Sequence, residues 1–200
     1  MRKLALITLF GILMACPLMA EEMQSIFSGH ITSGGYGGPI VKIGEIDGET
    51  AVWIGGKGGW VINHGLVIGG AGYGLVSEVH EVEIDSTRSR RLACGYGGLM
   101  LEYIYEPYKI VHMNAGVLIG AGGVGHLYND DDDDDYWHET NGDAFFALEP
   151  SLGIELNIAR HIRCELGASY LYTSGAELSD LEDKDLRGVS GYASLKFGAF

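Results

Sequence analysis

Every second residue from Phe146 to Ile158 is apolar: Phe146, Leu148, Pro150, Leu152, Ile154, Leu156 and Ile158. Between them stand Ala147, Glu149, Ser151, Gly153, Glu155 and Asn157. A period of two places successive side chains on opposite faces of a strand, so one face is apolar and the other small or charged. The run is long for an ordinary strand and long enough to cross a bilayer at a tilt. A chain built of such segments closes its own sheet or leaves unpaired edges.

Weaker versions of the pattern recur. Eight strand-like segments fall at about 38–47, 49–62, 65–78, 91–105, 109–126, 143–158, 161–174 and 188–200. Asp47-Gly48 is a two-residue hairpin signal, and Asn63-His64, Glu106-Pro107-Tyr108 and Ala159-Arg160-His161 read as short turns. Longer connections fall at about 79–90, 127–142 and 175–187, so short and long links alternate. Pro150 removes a ladder hydrogen bond, and a bulge is expected there. Residues 1–20 combine a basic start (Arg2, Lys3) with a short apolar stretch and a small residue, Ala20, before Glu21. They read as a signal peptide removed after Ala20. The alternative is lipidation at Cys16, because Leu13-Met14-Ala15-Cys16 resembles a lipobox. Residues 21–37 read as a flexible lead-in and 38–200 as the folded domain.

The strand phases sort the side chains. Leu99, Leu101, Val111, Met113, Val117, Ile119, Leu166, Val189, Leu195 and Phe197 share the apolar face. Trp60, Tyr103, Tyr105, Tyr170 and Tyr172 lie toward strand ends, where membrane-interface aromatics belong. The other face collects Lys42, Lys57, Arg163 and Lys196 against Glu102, Glu149, Glu155 and Glu165, beside His112, Asn114 and Asn157. Equal numbers of opposite charges suit a narrow interior filled by side chains. An all-β, eight-stranded antiparallel up-and-down transmembrane barrel is therefore expected. A soluble lipocalin-like barrel, with the apolar face inward, is the rival. Glycines on the polar face (Gly55, Gly59, Gly70, Gly72, Gly74, Gly98, Gly116, Gly120, Gly122) favour the membrane form, making room in a crowded lumen for Trp53, Tyr96, Met100 and Tyr192.

Eight amphipathic strands behind an export signal, with alternating turn lengths and a last strand running to Phe200, resemble the small outer-membrane barrels of the OmpA, OmpX and OmpW type. The resemblance covers 38–200 as architecture. It implies an outer-membrane location, contact with outer-membrane lipid and lipopolysaccharide, and insertion by the barrel-assembly machinery. The family's insertion signal is matched by Gly191 to Phe200, with Tyr192 and Phe200 in phase, and departs from it at Lys196 and Gly198. The chain is expected to be a non-enzymatic monomer serving envelope integrity or surface interaction. A narrow or laterally opening channel for small apolar molecules is the alternative.

The formal net charge of −14 argues against a nucleic-acid partner, which demands clustered Lys and Arg. The run Asp130, Asp131, Asp132, Asp133, Asp134, Asp135 reads as a solvated loop, with loosely bound Ca²⁺ or Mg²⁺ as the functional alternative. It lacks the alternating ligands and central glycine of an EF-hand. Ser151, Glu149 and His112 share the polar face and are the one set that invites comparison with a Ser–His–acid site. The glycine repeats at 55–59 and 69–74 lack phosphate-loop order. Cys94 and Cys164 fall on opposite faces, so no bond between them and no cofactor is expected.

Overall fold

The computed structural model describes residues 31–77, 79, 82–85, 88–130, 138–178 and 181–200. The expected signal peptide 1–20, residues 21–30 of the lead-in and Asp131 to Asp135 lie outside the described residues. Eight long strands form a closed ring: β1 (Ser33–Ile46), β2 (Glu49–Ile62), β3 (Leu66–Leu75), β5 (Arg88–Tyr105), β6 (Val111–Asp130), β7 (His138–Ala159), β8 (Ile162–Ser174) and β11 (Gly188–Ala199). Each pairs antiparallel with its neighbours in sequence, and β1 closes the ring against β11. A short β4 (Val82–Asp85) extends the ladder of β5. A small ladder of β9 (Glu177–Leu178) and β10 (Leu181–Glu182) leads into a single helical turn, α1 (Asp183–Leu186).

Two tight turns, one at each end of the ring, share a backbone cause. Asp47 and Gly48 both take positive φ (48° and 80°), as do Asn63 and His64 (49° and 60°). Two consecutive left-handed residues define the hairpin turn whose twist matches the flanking strands. We call the end carrying Ser33, Ala199 and the turns at 63–65, 106–110 and 160–161 the turn end, and the opposite one the loop end.

Side-chain direction follows the sequence period. Leu99 is 77% exposed and Leu152 63%, whereas Lys196, Glu155 and Lys42 are buried at 0–1%. The apolar face therefore points out and the charges point in, the reverse of a soluble ligand-binding barrel. Trp60, Tyr103 and Tyr105 stand outward near the turn end, and Tyr170 and Tyr172 outward near the loop end.

Four expectations are corrected. Gly34 to Gly37, read as lead-in, belong to β1, because a strand glycine lets backbones close up: a Cβ at Gly34 would collide with the Ala199 carbonyl. Gly70, Gly72 and Gly74 face outward, since Val67 and Tyr73 take the inward positions of β3. No bulge occurs at Pro150: its register with Val117 continues, and on the β8 side the ladder skips Glu149 and Pro150 without slipping. The expected loops at 79–90 and 127–142 hold further strand, because β5, β6 and β7 continue past the aromatic band.

Candidate functional site

The lumen is layered. Toward the loop end an apolar plug combines Ile46, Trp53, Val79, Leu92, Tyr96, Leu118, Val124, Phe145, Leu171 and Leu186. Period-two alternation sets one inward residue from each strand at each level, so eight strands contribute a full disc of side chains. Toward the turn end the inward positions are polar, beside a smaller cluster of Tyr36, Val61, Val67, Met100 and Ile104.

The polar layer forms around Lys196 of β11. Its Nζ lies 2.7 Å from Glu102, 2.5 Å from Glu155 and 3.0 Å from Glu165. Lys57 of β2 bridges the same group, 3.1 Å from Glu102 and 2.5 Å from Glu165. Arg163 reaches Glu155 at 3.4 Å and the His112 Nε2 lies 3.0 Å from it. The Asn114 amide donates to Glu155 at 2.5 Å and to Glu165 at 2.9 Å, and Tyr192 donates its hydroxyl to Glu165 at 2.8 Å. A second group, nearer the plug, joins Lys42 to Glu149, with Tyr96 donating to Glu149 at 3.1 Å and accepting from Lys42 at 2.5 Å. Four cations thus meet four carboxylates, and burial without a partner, which costs several kcal/mol per ion, is avoided.

Each cation also rests on an aromatic face. Lys42 lies 4.4 Å from the Tyr73 ring, Lys57 5.5 Å from Tyr192, Arg163 3.9 Å from Phe200 and Lys196 4.7 Å from Tyr36. A quadrupole attracts a cation most strongly where water is excluded. Tyr36, Tyr73 and Phe200 are the partners that sequence reading missed. Tyr36 fell in the lead-in, although the two-residue phase through Ile40 and Lys42 points to it.

The oxygens of Glu102, Glu155 and Glu165 converge to within 4.8 Å, as metal ligands do. The cation among them is the Lys196 ammonium, and Lys57 and Arg163 stand beside it, so three cations already meet the three carboxylates. Asp130 ends β6. The set Ser151, Glu149 and His112 is not brought together: His112 pairs across the strands with Glu155, Ser151 with Gly116, four residues further along β6. Four residues of strand separate them by about 13 Å, beyond any proton relay. Asn157 leaves the network and bonds the Pro107 and Lys109 carbonyls of the turn.

A cavity of about 20 Å³ lies between Lys42, Lys57, Glu149, Ser151 and Ser169, room for one water. The Ser169 hydroxyl, beside it, has no protein partner among the described residues.

No protein-family profile matches the chain, and no curated protein matches it in sequence. Solved structures match it in fold. Neisserial surface protein A is 11% identical over 86% of this chain and 99% of its own, with a TM-score of 0.53. Ail, the attachment invasion locus protein of Yersinia pestis, solved with the heparin analogue sucrose octasulfate, is 12% identical over 83% of this chain and 97% of its own, with a TM-score of 0.51. The fold is that of the small eight-stranded outer-membrane β-barrels.

Proposed function

We propose that this chain is an integral outer-membrane protein whose barrel is a closed anchor, without enzymatic activity, for a surface-exposed sheet serving envelope integrity or surface interaction. The observation that carries this reading is the inward packing: among the described residues an apolar plug and two ion-pair groups occupy the lumen. The 20 residues of β6 reach about 66 Å at about 3.3 Å each, or roughly 47 Å of height at a tilt of about 45°. The apolar band of such barrels is only about 25 Å tall, so β5 to β7 stand well above it. β8 leaves the ladder at Ser174, opposite Phe146, while β6 and β7 stay paired beyond it. The names of the two similar proteins, a surface protein and an attachment protein, agree with this reading. Lipopolysaccharide surrounds the loop end, the barrel-assembly machinery inserts the chain, a monomer suffices, and any Ca²⁺ or Mg²⁺ held by Asp130 to Asp135 is loosely bound.

Cell fractionation with heat-dependent gel mobility tests the location: the chain partitions with the outer membrane, and a freely soluble mature chain overturns the reading. Planar-bilayer recording tests closure, since a steady open level would contradict it.

One observation favours the second reading, a lateral passage for small apolar molecules. At Glu149 and Pro150 the β7–β8 ladder is interrupted, and Ser151 and Ser169 line both the inner cavity and an outward apolar hollow of about 560 Å³. Vesicle uptake of a small apolar dye that is lost on stapling this seam would establish it.

A further inference from the structure

We infer, resting on the outer-membrane placement proposed above, that the lipid-facing wall at the β7–β8 seam seats a hydroxylated acyl chain of an outer-leaflet lipid. The chain's hydroxyl donates to the Tyr170 backbone carbonyl. The hollow, about 560 Å³, lies on the outward side of the sheet. Two register rows line it: Ala115, Leu152 and Ala168 toward the turn end, then Pro150, Tyr170 and Val189 toward the loop end. The two alanines flanking Leu152 leave the room. One row below, the same strands carry the larger, exposed Met113 and Leu166.

One backbone group in that wall lacks its donor. Along an antiparallel strand the N–H and C=O of a residue point to the same neighbour, and successive residues alternate between neighbours. The Asn157 N–H donates to the Ile110 carbonyl at 2.8 Å. Over the unbroken register from Phe145 to Asn157, odd-numbered residues of β7 therefore bond β6 and even-numbered ones face β8. The Gly198 N–H donates to the His161 carbonyl at 3.0 Å, so odd-numbered residues of β8 bond β11 and even-numbered ones face β7. The flanking pairs Leu148–Tyr172 and Ser151–Ser169 set Pro150 opposite Tyr170, and their backbones turn toward each other. Tyr170 can donate its N–H to the Pro150 carbonyl, but Pro150 has no N–H to return. That single absence accounts for the two pairs missing from the ladder at Glu149 and Pro150. It leaves the Tyr170 carbonyl without its ladder partner.

The bilayer core offers a bare carbonyl no water, so the donor falls to whatever occupies the hollow. Depth narrows the choice. Tyr172, two residues nearer the loop end, stands in the outward aromatic band, with the Arg187 guanidinium 4.2 Å from its ring. Two residues span roughly 6.6 Å of strand, or about 5 Å of height at a tilt of about 45°. The Tyr170 carbonyl thus lies a few methylenes below the headgroups that the aromatic band marks. An unsubstituted, ester-linked chain brings no donor to that depth. An ammonium would carry an uncompensated charge into an apolar wall. A hydroxyl a few carbons from the head of the chain is a neutral donor at this level, while the rest of the chain fills the hollow. The loop end faces the lipopolysaccharide leaflet in this placement, which is the side from which such a chain comes. Water in the inner cavity has other partners, because Lys42, Lys57, Glu149 and the Ser169 hydroxyl line that cavity.

Tyr170-Leu171 is the only Tyr-Leu step in the sequence. The full chain, labelled with carbonyl-¹³C tyrosine and ¹⁵N leucine and refolded in micelles, therefore gives one carbonyl-correlated amide signal, that of Leu171. The titration compares the methyl esters of 3-hydroxytetradecanoic and tetradecanoic acid. The hydroxylated ester should move the Tyr170 carbonyl downfield saturably, as a newly accepted hydrogen bond does, and bind about threefold to tenfold more tightly than the plain ester. Pro150→Val restores the ladder N–H: its Tyr170 carbonyl should lie downfield before any ester is added, and the preference for the hydroxyl should vanish. Ala168→Leu fills the hollow and should abolish saturation by both esters. Both variants should keep heat-dependent gel mobility. Equal carbonyl shifts from the two esters, or a hydroxyl preference retained in Pro150→Val, overturn the site. A wild-type carbonyl already downfield and unmoved by either ester overturns it too, and assigns the donor to water. Failure of the wild-type chain to insert into vesicles overturns the membrane placement, whereas these carbonyl readings on inserted protein overturn the lipid site alone.

Discussion

Lys196 shows what a single residue contributes to this interior. Three carboxylates surround its ammonium, and Tyr36 covers it. Lys196→Met leaves the buried Glu102, Glu155 and Glu165 with one cation fewer, and should lower stability by about 3–5 kcal/mol, read as a shifted urea midpoint of the vesicle-inserted protein. Lys42 and Glu149 form the nearer pair, so Lys42→Met alone should cost a similar amount. The double variant Lys42→Met with Glu149→Leu should recover most of it, because an apolar pair of like volume needs no counter-charge. The inward direction of all eight charged residues was legible from strand parity. Their partners were not, because parity fixes a face and not a neighbour around the ring: Lys196 and Glu102 stand 94 positions apart.

At the scale of the strand, glycine separates what alternation revealed from what it concealed. A Cβ on Gly98 would come within 2.6 Å of the Gly120 Cα, the two glycines letting β5 and β6 touch. Gly98→Ala should therefore cost about 1–3 kcal/mol through backbone displacement, measured by the same urea midpoint. Gly74 meets nothing within 4 Å, so Gly74→Ala should stay within about 0.5 kcal/mol of wild type. The glycine-rich β3 has no alternation of large side chains to set its phase, which is why Gly70, Gly72 and Gly74 were placed on the wrong face. Pro150 misled in the opposite sense. A missing N–H is absorbed by dropping two pairs from one ladder while the other side, at Val117, holds the register. Strands β6 and β7 outrun their expected ends because their outer halves are polar and glycine-containing, a composition shared by loops and by solvated ladder.

The whole molecule combines a closed ring with charged and apolar side chains turned inward, and both follow from one constraint. Lipid offers no partner to a backbone group, so the sheet must close. An eight-stranded ring is too narrow to leave a pore once it is lined with side chains, and charges held there must balance. The ring, its strand number and its direction of facing were readable from period and turn length. The layering into an apolar plug and a salt-bridged layer was not, since it depends on height along a tilted strand. The account's central claim is the direction of facing. Single spin labels placed at each position from Phe146 to Ile158, in a background of Cys94→Ser and Cys164→Ser, test it in vesicles. Dissolved oxygen, which concentrates in lipid, should reach labels at Leu148, Leu152, Ile154, Leu156 and Ile158 and miss those at Glu149, Ser151, Gly153 and Glu155. Access at those apolar positions by a water-soluble relaxant, or an oxygen profile with the opposite phase, would contradict it.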